Sequence, residues 1–311
     1  MLMQKEIFKL IESLINATSD EAAKIILAQL SVILEILDKL FNKYRSDDPH
    51  ITWTEFNKYN RLQKELDVID RLLEGAYSEV IEMIRNSKEN IEIENYYRHM
   101  HMFDMSSDID LSNADILYAQ AKKSLENPIE YIRLESTFEK HRKRTIKRLT
   151  GHIANGVIQG KGYNDIANDI TYSMGMSARQ AKMVARTETG RAQSESQEVA
   201  IQQAEKYGAR IKGYWDATLD LRTRASHAHM DGKEVNDKGV FVVGQSVGPA
   251  PRLLVGPDSA SQNINCRCKK LLTVNGHKPK KRSARDINGK SIQVDYQTYD
   301  EWHKNFDQEN S

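Results

Sequence analysis

The chain has 311 residues, 39% of them hydrophobic and 29% charged, and its 45 Lys and Arg against 44 Asp and Glu leave a formal charge of +1. That balance excludes a wholesale nucleic-acid coat while leaving room for local basic patches, and no stretch approaches the roughly 20 apolar residues of a bilayer span. The length suits two domains, or one domain with a long helical extension. Two cysteines, Cys266 and Cys268, stand one residue apart; this excludes a disulfide scaffold and leaves a metal pair or two reduced thiols. The opening apolar run is broken by Lys5, Glu6, Lys9 and Glu12. It lacks a basic leader and a small-residue cleavage site, so no signal peptide is expected and the chain should be made and kept in a cytoplasm.

Residues 5–44 read as a helix. Ile7, Leu10 and Leu14, then Ile25, Val32, Ile36 and Leu40, recur in helical register without Pro or Gly. Ser46–His50 reads as a turn, and Thr52 with Glu55 has capping-box spacing for the next helix. There Leu66, Ile69, Leu73, Ala76, Val80 and Met83 form a seam. Two long helices joined by a short polar turn predict an antiparallel hairpin. Its apolar stripes complete either an ordinary helical domain or a dock for another subunit. Residues 90–127 give no firm assignment; His99, Met100, His101 and Met102 alternate, but no further ligand stands at metal-site spacing. Pro128 suits the first turn of a helix that ends in a basic run. From Ile153 to about Lys206 helices continue. Gly160-Lys161-Gly162 breaks them, Asn164 or Asp165 restarts them, Ser177 caps a longer segment, and Gly208 closes it.

After Gly208 the composition changes. Ile211–Ala217, Val240–Val243 and Lys269–Val274 are β-prone, and the stretch from Gly239 to Pro257 holds four glycines and three of the six prolines. A second basic run, His277–Arg282, reads as a linker; Asn288-Gly289 predicts a hairpin, and a short helix is expected around Tyr299–Phe306. The predicted fold is a mainly α N-terminal region, a long helical hairpin plus further helices, followed by a small α+β, loop-rich C-terminal module. The expected segments are 1–127 (helical hairpin or bundle), 128–207 (further helices), 208–275 (the small module) and 276–311 (basic linker and tail).

The module brings together Trp215, Asp216 and Asp220, then Arg224, His227, His229, Asp231 and Gly232, then Cys266 and Cys268. A segment so short and so rich in Gly and Pro cannot build a large core, so a staple is expected. One form is a polar network of Asp220, Arg224 and His227 with the thiols packed as small hydrophobes. The other is zinc on His227, His229, Cys266 and Cys268, whose atoms suit that ion but whose H-x-H and C-x-C spacings are short for it. A catalytic alternative makes His227 and His229 the base of a metal-independent nuclease or toxin-like effector, with Asp220, Arg224 and Asp231 around them. Within Lys140–Arg148, six of nine residues are basic: Lys140, Arg142, Lys143, Arg144, Lys147 and Arg148. On a helix they present charge on more than one face and are the candidate DNA contact. Arg186-Thr187-Glu188-Thr189-Gly190 is unusual inside a helix; either Arg186 and Glu188 pair with the loop module, or the helix kinks.

Taken in order, A-R-T-E-T, a helix of about twenty residues, W-D-A-T-L-D-x-R-T-R-x-x-H-x-x-x-D-G, a Gly/Pro loop and I-N-C-R-C resemble the phage Mu F-like head morphogenesis family, the minor head proteins of tailed phages. The resemblance covers roughly residues 150–275, and Gly160-x-Gly162-Tyr163-x-Asp165-Ile166 fits its usual lead-in. It implies a structural, non-enzymatic role with a few copies per procapsid. The partners it implies are the portal, other capsid or scaffold proteins and double-stranded DNA, with no membrane. The location it implies is the capsid interior near the portal, and the host cytoplasm during assembly. Some members carry a C-terminal toxin or transferase domain, for which this chain is expected to end too soon. Many members have Cys-x-x-Cys where this chain has Arg224-Ala225-Ser226-His227, which would complete a four-thiolate zinc site. Arg224 cannot ligate a metal, so the expected state is metal-free, with Asp220 or Asp231 accepting from the Arg and His.

Overall fold

The computed structural model describes residues 2–44, 60–106, 128–274, 276, 281–285 and 291–302. Four long helices dominate: α1 (Leu2–Tyr44), α2 (Arg61–Ser106), α3 (Pro128–Ile158) and α4 (Tyr163–Lys206). Among the described residues, six short strands and three short helical segments follow, so the chain is mainly α with a small α+β, loop-rich C-terminal region. Two compact units divide it, one of Ala17–Asn86 and Asn127–Ala185, the other of Met1–Asn16, Ser87–Glu126 and Arg186–Ser311. Because α1, α2 and α4 each contribute to both, these units do not follow the linear segments 1–127, 128–207, 208–275 and 276–311.

The first unit is a helical bundle. Its core joins Ile26, Ile33 and Leu37 of α1 to Leu66, Ile69, Leu73, Val80 and Ile84 of α2, Phe138, Leu149 and Ile153 of α3, and Ile166, Ile170 and Met174 of α4. Ala178, Ala181 and Ala185 continue the α4 face with small side chains, which lets helices approach closely. The α2 seam is buried from Leu66 to Val80, with Met83 half-buried. The α1 stripe needs correction: Val32 is 40% exposed while Ile33 is fully buried. Apolar doublets (Ile25-Ile26, Val32-Ile33, Ile36-Leu37) leave the phase of the stripe ambiguous by one residue, about 100° around the helix, and packing selects the second member of each.

Ser177 is not a helix cap. Helix α4 runs unbroken through it from Tyr163, and Asn164 and Asp165 already lie inside the first turn. The Ser177 hydroxyl, buried, donates to the Ser173 carbonyl (3.1 Å) and lies 2.7 Å from Thr145 Oγ1, which in turn lies 3.4 Å from the Tyr77 hydroxyl. A bonded hydroxyl is tolerated in mid-helix. The break at Gly160-Lys161-Gly162 is present, with Gly160 at φ +67°. The turn at 46–50, the capping box at Thr52 and Glu55, Asn288-Gly289 and most of the second basic run lie outside the described residues.

The second unit packs Ile7, Ile11 and Ile15 of α1 with Ile91, Tyr96, Met100 and Phe103 of α2, Ala192, Ala200, Ile201 and Ala204 of α4, and Leu272 and Val274. The last two belong to β4 (Lys269–Val274), which pairs antiparallel with β1 (Ile211–Asp216) from Ile211↔Val274 to Asp216↔Lys269. Between them lie β2 (Phe241–Val243) and β3 (Ser246–Gly248), a tight hairpin turning at Gly244 with φ +60°. Beyond them β5 (Lys281–Arg285) pairs antiparallel with β6 (Ser291–Asp295), and residues 299–302 are helical. A buried polar relay crosses this unit. His99 Nδ1 donates to the Asn95 carbonyl (2.8 Å), and His99 Nε2 accepts from Gln197 Nε2 (3.1 Å), which also donates to the Lys270 carbonyl (3.0 Å). His99 is thus a core residue rather than a ligand, and His101 beside it is exposed.

Two measurements check this packing. Ile33→Ala should destabilise the helical bundle by about 2–5 kcal/mol, whereas Val32→Ala should stay within roughly 0.5 kcal/mol, read from denaturant unfolding by helical circular dichroism. Burial lowers the His99 pKa to about 4, so the unfolded chain takes up its proton first as pH falls. Stability should therefore be intact above about pH 6.5 and decline towards pH 4, by up to about 3 kcal/mol from this group. His141, lowered by burial and by Arg144 and Arg148, acts in the same sense, so His99→Leu should flatten the decline without abolishing it.

Candidate functional site: a loop module locked onto α4

Strand β1 delivers Trp215 into the centre of the module. The indole is fully buried and meets Phe241 edge-on (5.3 Å between centroids) and His227 edge-on (5.2 Å). Ala217, Met230, Val243, Leu254, Cys266 and Cys268 complete this small core. Backbone bonds from Trp215 N to the Lys233 carbonyl and from Gly232 N to the Trp215 carbonyl, both 2.8 Å, fix the strand against the following loop. Gly232, at φ +73°, provides a left-handed turn that favours glycine. Asp216, at the end of β1, stands opposite Lys269 in the β1–β4 register.

Two carboxylates organise the loops, with partners other than those expected. Asp220, buried, accepts from both terminal nitrogens of Arg267, one at 2.8 Å, and from the Arg222 backbone N at 3.0 Å. Burial works to raise its pKa, but the Arg267 bonds and charge outweigh this and hold the carboxyl below its ordinary range. Asp231 accepts from Ala217 N and Tyr299 N, both at 2.7 Å. Arg224 instead donates to the Ile264 carbonyl at 2.6 Å. The expected Asp220–Arg224–His227 network is therefore replaced by an Asp220–Arg267 pair, because the I-N-C-R-C loop folds back over the Asp220 turn.

His227 lies in the short helix α5 (Ala225–Ala228) and is 1% exposed, while His229 just after it is exposed. Its Nε2 is 3.0 Å from Gln262 Oε1, on α6 (Ser259–Asn263). Gln262 Nε2 donates to Asp258 at 3.0 Å, which fixes the amide so that its oxygen faces the imidazole. An amide oxygen only accepts, so His227 Nε2 carries a proton and Nδ1 faces the two thiols. That atom lies 3.6 Å from Cys266 Sγ and 3.4 Å from Cys268 Sγ. The hydrogen bond between the two sulfurs lowers the Cys266 pKa and raises that of Cys268, with His227 adding to the lowering at Cys266. This is the one group of three metal-capable residues among those described, and it does not include His229. A nuclease using both imidazoles on one phosphate needs them at one open surface; the burial of His227 separates them.

Arg252 was invisible as a site residue in the sequence; its only signal is a lone charge in the apolar run Pro251-Arg252-Leu253-Leu254-Val255. It is 5% exposed and sits at φ +73°. Its Nε donates to the Cys266 carbonyl (3.1 Å), and Nη1 to the Gly190 carbonyl and Gln193 Oε1 (2.7 Å each). A Cβ at Gly190 would stand 3.0 Å from Arg252 Cδ, which accounts for the glycine within α4. Thr187 Oγ1 accepts from Asn265 N (3.0 Å), and the Ser194 hydroxyl donates to the Pro251 carbonyl (2.9 Å). Arg186 bonds Asn16, and Glu188 pairs with Arg191 at 2.9 Å. The unusual A-R-T-E-T-G stretch lies within the continuous helix α4. Thr187, Gly190, Gln193 and Ser194 receive the loops.

The basic run on α3 separates by burial. Arg142 pairs with Asp70 and Glu139, and Arg148 donates to Ser177 at 2.9 Å, so neither is free to face solvent. Lys143 is exposed beside Glu139. Lys140, Arg144 and Lys147 are exposed and have no ion-pair partner among the described residues, as is Arg133 two turns earlier. Replacing Arg252 with Leu would remove three buried hydrogen bonds. It should cost about 2–5 kcal/mol, read as loss of the near-ultraviolet dichroism of the Trp215 core with most helical signal kept.

The comparisons fit this architecture. The model of the family described as Phage Mu protein F like protein matches residues 147–271, from α3 through β4. The chain is 31% identical to the minor head protein GP7 of Bacillus phage SPP1 over 306 residues, 97% of this chain and 96% of that one. It is 28% identical to the NAD(+)–arginine ADP-ribosyltransferase EFV of Enterococcus faecalis (strain ATCC 700802 / V583) over 267 residues, 86% of this chain but 54% of the relative. No solved structure matches. A likeness that runs the length of a minor head protein, joined to the family match over the helix–module unit, means that the chain belongs to the phage Mu F-like family of minor head proteins.

Proposed function

We propose that this capsid-associated protein works inside the head near the portal, in assembly and in packaging or delivery of the genome, and that α3 contacts double-stranded DNA without catalysing a reaction. The observation that carries the DNA reading is a one-sided stripe. Arg133, Lys140, Arg144 and Lys147 are all exposed. At spacings of 7, 4 and 3 residues they fall within about 60° of helix circumference and extend over about 21 Å. A row of cations on one face can neutralise successive phosphates and release their counterions, which gives sequence-independent, salt-sensitive binding. The portal reading is supported by membership of the minor head family and extends what that membership implies. Transferase activity belongs to the name of one relative, of which this chain spans 54%.

The DNA contact is tested with duplexes of arbitrary sequence. Changing Arg133, Lys140, Arg144 and Lys147 together to Gln should weaken binding and reduce the slope of log affinity against log salt by up to about 3.6, with little change in stability. Arg142→Gln and Arg148→Gln should instead destabilise the bundle and leave the slope alone. An unchanged slope in the quadruple variant would contradict the DNA reading. Pull-down of the phage's own portal protein by the full chain tests the portal reading separately.

A further inference from the structure

The His227, Cys266 and Cys268 group takes no part in the DNA contact on α3. Its three donor atoms lie within 4.8 Å of one another, and all three residues are buried. The two Nδ1···Sγ separations, 3.6 and 3.4 Å, can be set against an ion with Zn–S of about 2.3 Å and Zn–N of about 2.0–2.1 Å, whose tetrahedral N···S edge is roughly 3.5–3.6 Å. One Nδ1 faces both sulfurs, so the three donor atoms converge on a single point. A cation among the three atoms engages all of them.

The surroundings are also those of a ligand histidine. Asp258 holds the Gln262 amide, Gln262 Oε1 accepts from His227 Nε2, and Nδ1 is thereby aimed at the sulfurs. This second layer is the arrangement that fixes tautomer and ring orientation in metal sites. Asp258 is itself held by the Gln245 backbone N (3.2 Å) and the Ser246 hydroxyl at the β2–β3 turn. The orienting chain therefore runs through three loops of the module.

We propose that Cys266 Sγ, Cys268 Sγ and His227 Nδ1 hold a zinc ion that staples the loop module, with solvent completing the coordination. His229, exposed and outside the group, takes no part. The inference stands on the module alone and is independent of the DNA and portal readings.

The test uses the full chain with its thiols reduced, loaded with zinc and freed of excess. Elemental analysis should find about one zinc per chain, and chelation should lower the melting temperature. Cobalt(II) in its place should show thiolate charge-transfer absorption and tetrahedral visible bands. Cys266→Ser, Cys268→Ser and His227→Ala should lose the ion, and His229→Ala should keep it. Gln262→Ala retains every ligand and should weaken zinc affinity about 10- to 100-fold in chelator competition. If the cysteine variants fail to fold, the wild-type cobalt spectrum decides. A reduced wild-type chain that takes up neither metal, a cobalt spectrum without thiolate bands, or a double cysteine variant that binds zinc like the wild type overturns the proposal.

Discussion

A guanidinium buried in a left-handed turn organises the second unit. Arg252 adopts φ +73°, a conformation that costs a non-glycine residue about 1–2 kcal/mol, and from there bonds two groups on α4 and the carbonyl of Cys266. The Gly/Pro-rich chain around it follows from that placement. A Cβ at Gly248 would lie 2.3 Å from the Leu253 carbonyl oxygen, and one at Gly256 would lie 2.4 Å from that of Gln245. The loop carrying Arg252 is pressed onto the β2–β3 hairpin, and only glycine admits the approach. Gly190 admits the guanidinium on the other side. The helix stretch around Gly190 and the loops around Arg252 and Cys266 are thus two halves of one contact.

What the sequence made legible was what is local and periodic. Long helices, the break at residues 160–162, three of the module's four strands and the α2 seam all follow from spacing and composition. The α1 phase did not, because adjacent apolar doublets satisfy either register until tertiary packing chooses. Ser177 looked like a cap because a serine before a helical run is the usual signal. Its buried hydroxyl instead serves a contact to Thr145, 32 residues earlier.

The candidate sites divide on the same principle. Asp220 could be recognised as a staple residue, but its partner Arg267 lies 47 residues on, beyond any local rule. Counting charges between residues 140 and 148 could not tell which arginines are engaged by distant groups such as Asp70. Burial reduces an apparently many-sided cluster to one stripe. The thiols show the reverse: spacing made C-x-C and H-x-H look unfavourable for a metal, yet folding discards His229 and brings His227 to both sulfurs through the Asp258–Gln262 relay.

The two units thereby carry different chemistry, an exposed cationic stripe on α3 in one and a loop module closed by buried polar and thiol groups in the other. Family membership assigns the whole to the phage head, and the proposed position is the capsid interior by the portal. An asymmetric reconstruction of the phage's procapsid, with this chain tagged on one terminus, tests that claim most directly. The account predicts label density inside the shell at the portal vertex, in a few copies, with α3 turned towards the packaged genome in filled heads. Label distributed over the ordinary vertices, on the outer surface, or absent from procapsids would contradict it.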